Sequence, residues 1–205
     1  MSTVATVLNG IRYDLRNYGD IDFDEQQLIH NLNRSIATLD YFLMTTNSDW
    51  TLNSGDVTLS SAANYTAVPT GAINIREVWI GDERKEQLSP MSLYYKREFR
   101  TDTAEPQFWA HVADNLQFDV TADADYTVTV YYDKQSTALT SSTETMPYSG
   151  RFDNFLINAT VVLCEAKKYK NPQEADALYM AIFQNITYQD MVNRRFVKKN
   201  YRLDF

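Results

Sequence analysis

The sequence predicts an α+β protein: a four-helix bundle of two N-terminal and two C-terminal helices, an inserted small antiparallel β-rich domain, and an extended C-terminal arm. Apolar residues recur every three or four positions near both ends of the 205-residue chain, which is typical of amphipathic helices. Between residues 48 and 146 the chain instead shows short alternating runs rich in Thr, Ser, Asp, Val and Tyr, which favour strands. Residues 196–205 follow the last helical stripe and form the predicted arm.

The N-terminal helical pair is assigned to residues 1–47. The first helix is indicated by the apolar stripe Val4, Val7, Leu8, Ile11 and Leu15. Gly19 ends it, and Asp22 is the predicted N-cap of the second helix, with Glu25 three residues later in the pattern of a capping box. The second helix is indicated by the stripe Leu28, Ile29, Leu32, Ile36, Leu39, Phe42 and Leu43.

The β-rich insertion is assigned to residues 48–146. Its strands are predicted at DVTLS, YTAVP, INIREVWI, LQFDV and YTVTVYY. A short helix interrupts them, with Ser89 as its cap and Pro90 at its first position. The segment EPQFWAHVADNLQFD, residues 105–119, predicts a hairpin with Asp114–Asn115 as its turn. Together these elements indicate a small meander or sandwich.

The C-terminal helical pair is assigned to residues 147–195. Its first stripe consists of Phe152, Phe155, Leu156, Ala159, Leu163, Ala166 and Tyr169, and its second of Ala175, Leu178, Tyr179, Ile182, Phe183 and Ile186. Asn171 as N-cap and Pro172 at the first helical position separate the two helices. Each helical pair is too short to bury its own stripes, so we expect the two pairs to pack into one bundle.

Composition and charge exclude several classes of protein. With 44% hydrophobic and 22% charged residues the chain falls in the globular range. A net charge of −8 disfavours broad binding to duplex DNA, which requires clustered cations. The single cysteine, Cys164, excludes an intrachain disulfide and zinc sites built on several thiolates. The N-terminus lacks the pattern of a signal peptide, and no apolar run approaches the ~20 residues that span a bilayer, so we expect a soluble protein of a reducing compartment.

The sequence predicts no catalytic, metal or cofactor site, and hence a protein that is not an enzyme. His30 and His111 are isolated from each other, and Cys164 lies in an apolar helix, where a thiol behaves as a small hydrophobe. Candidate carboxylates for a cell-wall hydrolase are Asp119, Asp123, Asp125 and Asp133. Acidic residues at turns and strand edges are ordinary solubilising choices, and TADAD lacks the pattern of a calcium-binding loop.

The C-terminal sequence NRRFVKKNYRLDF stands out against the acidic background. Its candidate docking residues are Arg194, Arg195, Phe196, Lys198, Lys199, Tyr201, Arg202 and Phe205. Cations at a helix C-terminus complement the helix dipole, and a solvated tail is one interpretation. Basic residues interleaved with aromatic ones also suit single-stranded nucleic acid. We favour a third interpretation, an arm that docks into a partner protein through aromatic anchors and matched charges.

The order of these elements resembles that of the head-to-tail adaptor (connector, tail tubular) proteins of tailed bacteriophages. The resemblance runs from DWTLNSGDVTLSSAANYTAVP through the hairpin EPQFWAHVADNLQFD and the strand DADYTVTVYYDK to RFDNFLINATVVLCEAKKY and PQEADALYMAIFQNITYQDMV. It implies a non-enzymatic virion protein at the head–tail junction, assembled in the host cytoplasm as a ring, usually dodecameric, under the portal protein. Such a ring extends the channel through which DNA passes without specific binding, and it offers a platform to tail or nozzle proteins. By position, residues 194–205 would be the portal-docking segment.

An alternative function is a β-module that binds a receptor or a glycan in a phage tail. Aromatic side chains that could stack on sugars are Tyr94, Tyr95, Phe108, Trp109, Tyr131 and Tyr132. On strands such residues more often pack in a core or between subunits, and we favour that interpretation.

Overall fold

A computed structural model describes five stretches of the chain: residues 2–17, 23–46, 48–100, 102–166 and 173–185. The chain divides into two compact units. The helical unit comprises Met1–Trp50 and Ser136–Phe205, and the β unit comprises Thr51–Gln135. The predicted β-rich insertion, 48–146, is longer than the β unit because residues 136–146 contribute Leu139 and Met146 to the helical core.

The described residues form α1 (Val4–Asn17), α2 (Glu25–Thr45), α3 (Pro90–Phe99), α4 (Asp153–Glu165) and a fifth helix, α5, at residues 173–185. The capping box of α2 lies two residues later than predicted. Gln27 N donates to the Asp24 carboxylate at 2.7 Å, and Asp24 N donates to the Gln27 side chain at 3.3 Å. Ser89 caps α3 and Pro90 begins it, as predicted.

One apolar core joins α1, α2, α4 and α5 within the helical unit. Its fully buried members include Leu8, Ile11, Leu32, Leu156 and Phe183. The glycine in α1 allows a close approach of α4, since a Cβ at Gly10 would lie 2.7 Å from Cδ1 of Ile157. Burial of such side chains is worth about 1.5–3 kcal/mol each, so this shared core holds the helices together.

The β unit contains one seven-stranded sheet. Its strands are β1 (Leu52–Leu59), β2 (Tyr65–Ala67), β3 (Ala72–Ile80), β4 (Glu83–Gln87), β5 (Phe108–Val112), β6 (Asn115–Phe118) and β7 (Tyr126–Lys134). They lie in the order β1-β7-β3-β4-β5-β6-β2, and all neighbours are antiparallel except the parallel pair β4–β5. Thr66 of edge strand β2 donates a hydrogen bond to the Thr58 carbonyl of edge strand β1 at 2.8 Å. The sheet is therefore a nearly closed barrel.

The predicted fold class is wrong. In place of a four-helix bundle with a small antiparallel insertion, the described residues form five helices and a large mixed sheet that closes almost completely. Two features of β4 explain the error. Its sequence, ERKEQ, contains no apolar residue, and its only buried side chain is Lys85. In addition, β4 is joined to β5 in parallel across α3, a connection that local alternation does not reveal.

The hairpin β5–β6 packs one side against the interior of the barrel. Trp109, Leu116 and Phe118 are almost completely buried in the barrel core. The hairpin turn is displaced by one residue from the prediction: Val112 pairs with Asn115, so the turn residues are Ala113 and Asp114. Ala113 adopts a positive φ of 51°, as two-residue hairpin turns require at this position.

Candidate interaction surface

Asp119, one of the candidate carboxylates, is a fully buried structural group. It accepts hydrogen bonds from the backbone N–H groups of Gln107 and Phe108, each at 3.0 Å. Its other oxygen lies 2.7 Å from the guanidinium of Arg100. The carboxylate therefore holds the chain at the start of β5, and both of its oxygens are already engaged.

Asp133, also fully buried, is the centre of a polar cluster at the end of β7. Thr51 donates to it at 2.6 Å and Asn74 at 3.1 Å, and Arg76 forms an ion pair with it. Burial alone would raise the pKa of the Asp133 carboxyl, but these donors outweigh burial and hold the pKa below its ordinary value. The cluster ties together the two strands at which the chain enters and leaves the β unit, and Lys134 N reinforces it by donating to the Thr51 carbonyl at 3.0 Å.

The remaining two candidates, Asp123 and Asp125, stabilise one loop. Asp125 accepts a hydrogen bond from Ser61 N at 2.6 Å, and Asp123 accepts one from the Tyr126 hydroxyl at 2.6 Å, which raises the pKa of Tyr126 to about 12. Among the described residues, no group of three or more His, Cys, Asp or Glu side chains could hold a metal ion.

The histidines and the cysteine are separated in the structure. His30 is exposed on α2, His111 is half-buried on β5, and Cys164 is buried in the helical unit. Asn31 donates to the Cys164 sulfur at 3.3 Å. Burial raises the pKa of the Cys164 thiol, which keeps it protonated and unreactive at neutral pH.

The six aromatic residues considered for glycan binding do not form one exposed platform. Trp109 and Tyr132 are buried in the barrel core. On the outside, Tyr131 contacts Trp79 edge-on, and the Lys96 ammonium lies 3.0 Å from the centroid of the Phe108 ring. Tyr94 and Tyr95 alone are strongly exposed, and both belong to α3.

Helix α3 turns its apolar face to solvent. Met91, Tyr94, Tyr95 and Phe99 recur at helical spacing, and their side chains are 65%, 59%, 55% and 86% exposed. We call these four residues the α3 stripe. Leu93, on the opposite side, is the buried residue of this helix. Exposed apolar patches of this kind mark interaction sites, because a soluble monomer gains nothing from them.

Tyr94 and Tyr95 were predicted from the sequence as possible contact residues, but Met91 and Phe99 were not. Their spacing of i, i+3, i+4 and i+8 was visible, but in a single sequence such a stripe ordinarily indicates the side that faces the core. The basic residues Lys96 and Arg97 in the last turn distinguish this helix from its surroundings, since the β unit as a whole has 13 acidic and seven basic residues.

A polar groove of about 460 Å³ lies beside β4. Its buried cation, Lys85, lies 2.9 Å from Glu83 and 2.7 Å from Glu105. Burial alone would lower the pKa of Lys85, but the two carboxylates raise it above its ordinary value. Trp109 donates its indole N–H to the Lys85 carbonyl at 3.1 Å. The three cations of the groove, Arg76, Arg84 and Lys85, are thus paired within the protein, and the groove is a weaker candidate than the α3 stripe.

The protein-family model described as SU10 adaptor protein matches residues 2–198 of the chain. The chain belongs to the SU10 adaptor protein family. The resemblance to phage head-to-tail adaptors is therefore confirmed. A search of curated proteins gives no match.

As a phage adaptor, the protein is a structural component of the virion that interacts with other head and tail components. Such a role depends on surfaces and not on a reaction centre, which agrees with the structural use of all four candidate aspartates. No helix among the described residues has the length and apolar character needed to cross a bilayer.

The predicted portal-docking residues of this adaptor lie outside the described residues. They are Arg194, Arg195, Phe196, Lys198, Lys199, Tyr201, Arg202 and Phe205. The same holds for Asp22, Asn171 and Pro172, the predicted capping residues. The family match ends at residue 198, so it includes the first part of this basic segment.

Proposed function

We propose that the protein completes the phage head by assembling as a ring, usually dodecameric in this class of adaptor, under the portal protein. The ring extends the DNA channel and provides the platform to which tail or nozzle proteins attach. The observation that carries this proposal is the match of almost the whole chain to the adaptor family. Assembly takes place in the host cytoplasm, and the finished ring remains at the head–tail junction and serves genome ejection.

The charge of the chain supports a channel role. Each copy has a net charge of −8, and a ring of such subunits presents a predominantly negative surface to DNA. Because like charges prevent lasting contacts with phosphate groups, DNA passes through such a channel without binding to a specific site.

The α3 stripe supports assembly through protein surfaces. At ~200 Å² for each large side chain, the four exposed fractions correspond to roughly 500 Å² of exposed apolar surface. This is more than half of the ~800 Å² that each partner buries in an interface of standard size. A subunit with such a surface is suited to an assembly in which the stripe is covered.

The C-terminal segment is the proposed portal-docking arm. Residues 194–205 combine five cations with three aromatic side chains, the residue types that anchor interfaces and match acidic sites.

Native mass spectrometry and cryo-electron microscopy of the full chain, alone and mixed with its portal protein, test this function. We expect a closed ring on the portal. Deletion of residues 194–205 is expected to abolish portal binding and leave the unfolding temperature of the rest unchanged. Substitution of Arg12 and Arg16 in α1 by Ser is the matched control, because it removes two cations from the outer side of another element, together with the surface ion pair between Arg12 and Glu25, and should not affect binding.

Two results would contradict the proposal in different ways. Failure of the full chain to form a ring with or without the portal would contradict the ring. Normal co-assembly of the truncated chain would leave the ring in place and contradict the docking role of residues 194–205.

A further inference from the structure

The β unit has a second outward-facing surface, on the strands farthest from α3. In the sheet register Tyr131 of β7 lies beside Glu77 of β3, and Thr129 lies beside Trp79. On the other flank Thr129 pairs with Asp56 of β1 and donates to its carboxylate at 2.8 Å. We call Asp56, Glu77, Trp79, Thr129 and Tyr131 the β7 face.

The β7 face is aromatic and acidic. The rings of Trp79 and Tyr131 meet edge-on with centroids 6.5 Å apart, and the Trp79 indole donates to Glu77 at 3.0 Å. Both rings are half-buried, and Asp56 on the neighbouring strand is exposed. Rigid aromatic rings with adjacent carboxylates are suited to contact with a basic and aromatic partner.

The α3 stripe and the β7 face lie on different sides of the barrel. The Lys96 side chain of α3 covers the ring of Phe108, which alternates with the inward-facing Trp109 on β5, so α3 lies on the outer surface at β5. Strand β5 is three strands from β7 in the sheet order. In a nearly closed seven-stranded barrel, three strands correspond to almost half of the circumference.

We propose that the α3 stripe of one copy packs on the β7 face of the next copy in the ring. The inference rests on the proposed ring and names the surfaces that build it. Two different patches on opposite sides of a unit make a heterologous contact. Such contacts close into a ring when the rotation from one copy to the next brings the last copy back to the first. Lys96 and Arg97 beside the stripe are matched by Asp56, which is exposed, while Glu77 lies 3.4 Å from Arg84 of its own copy.

Charge favours this occupant over others. The C-terminal segment has Arg194, Arg195, Lys198 and Lys199, the same sign of charge as Lys96 and Arg97, so charge disfavours its docking beside these two residues. A second copy instead supplies an acidic unit, because the β unit has 13 acidic and seven basic residues. The competing hypothesis is that a tail protein covers the stripe, and the experiments below distinguish the two.

Two full-length variants test the pairing. The stripe variant is Tyr95→Ser with Phe99→Ser, and the face variant is Ser54→Arg with Asp56→Arg; all four side chains are exposed. The control variant is Tyr13→Ser with Tyr41→Ser, which removes two tyrosines that are 68% and 64% exposed elsewhere. Unfolding temperatures and circular dichroism establish that each variant folds.

In native mass spectrometry with the portal protein, we expect the wild type and the control variant to form rings and each of the two test variants to lose them. A mixture of the stripe variant with the face variant is expected to give a 1:1 dimer, because the face variant keeps an intact stripe and the stripe variant keeps an intact face. The two surfaces left unpaired in this dimer are the mutated stripe and the mutated face, so no further copy can bind.

Photo-cross-linking identifies what covers the stripe. With benzoylphenylalanine at position 95 of the assembled wild-type background, we expect cross-links to residues 54–56 or 127–131 of another copy. Cross-links to a tail protein, or rings formed by both variants, would overturn the inference and leave the ring itself in place. Absence of rings in the wild type would contradict the proposed function, and with it this inference.

Discussion

Tyr148 donates its hydroxyl to Asp40, a carboxylate that is only 1% exposed, from a backbone conformation that L-residues rarely adopt. Tyr148, Ser149 and Gly150 have φ values of 58°, 53° and 78° in succession. Each non-glycine residue in this region costs on the order of 1–2 kcal/mol. The Tyr148 ring also meets the rings of Trp50 and Phe152 edge-on. Hydrogen bonding and aromatic packing thus hold the left-handed turn that precedes α4.

Replacement of Tyr148 by Phe is expected to lower the free energy of unfolding by about 2 kcal/mol at pH 7, because a hydrogen bond to a buried carboxylate is lost. Burial raises the pKa of Asp40, with partial compensation by hydrogen bonds from Tyr148 and Ser136. The folded state therefore binds the Asp40 proton more tightly than the unfolded chain does. Since Tyr148 stabilises the ionised form, the cost of Tyr148→Phe should shrink as the pH falls through the raised pKa.

Urea unfolding at several pH values measures this effect, with Tyr41→Phe as the control. Tyr41 is exposed on α2, and its replacement should change stability by less than ~0.5 kcal/mol at every pH. An effect of Tyr148→Phe that is equal at pH 7 and pH 4 would contradict the role assigned to the ionised carboxylate.

Replacement of Arg76 by Met is expected to destabilise the β unit by about 3–5 kcal/mol, because it leaves the Asp133 carboxylate buried without its cation. The pKa of Asp133 lies below the ordinary value of 3.8, so its contribution is complete above pH 3.8 and is lost as the pH falls through the lowered pKa. In the Arg76→Met variant, burial raises the pKa of Asp133, so protonation of this carboxyl at low pH should reduce the loss of unfolding free energy.

Arg84→Met is the matched control for Arg76→Met. Arg84 is exposed, and its guanidinium lies 3.4 Å from Glu77 at the surface, where an ion pair contributes about 0–1 kcal/mol. Equal effects of the two substitutions in chemical unfolding at pH 7 would show that burial of Asp133 does not decide the stability of this cluster.

Replacement of Trp109 by Ala should cost about 3–5 kcal/mol, since its ring is buried in the barrel core and leaves a cavity when removed. Tyr95→Ala on the exposed stripe should change the free energy of unfolding by no more than ~0.5 kcal/mol. Thermal and urea unfolding of the two variants measure the difference. Similar losses of unfolding free energy in the two variants would contradict the assignment of Trp109 to the core and of Tyr95 to the surface.

Replacement of Gly150 by Ala should destabilise the protein more than replacement of Gly81 by Ala. Both glycines have positive φ, so both substitutions carry the cost of a left-handed L-residue. A Cβ at Gly150 would also lie 2.8 Å from the Ser2 Cβ and 3.0 Å from an Asp153 oxygen, whereas at Gly81 nothing lies within 4 Å. We expect Gly150→Ala to cost at least about 1 kcal/mol more in thermal unfolding.

Local pattern was a reliable guide where one segment alone determines its structure. The stripe Leu28–Ile29–Leu32 predicted the buried side of α2, and Ser89 with Pro90 predicted the start of α3. Even here the cap of α2 is Asp24 instead of Asp22, because several acidic residues precede the helix and only geometry selects among them.

The candidate site was predictable only in part. Tyr94 and Tyr95 were recognised as possible contact residues, but the outward direction of the α3 stripe depends on Leu93, which alone of the helix is buried. Periodicity shows which residues share a side of a helix. It does not show whether that side meets a core or solvent, because the neighbouring strands that decide this are distant in the chain.

By itself the sequence determined the helices, every strand except β4, the resemblance to phage adaptors and the acidic character of the chain, because each depends on composition or on patterns of residues along the chain. Tertiary structure alone decided that the strands close into a barrel, that β4 and β5 run parallel, and that Asp119 and Asp133 are buried ion-pair partners. Pairing across long separations follows from the packing of the whole sheet, which no local pattern encodes. A carboxylate in a turn-rich segment has the same sequence signature whether it faces water or an arginine in the core.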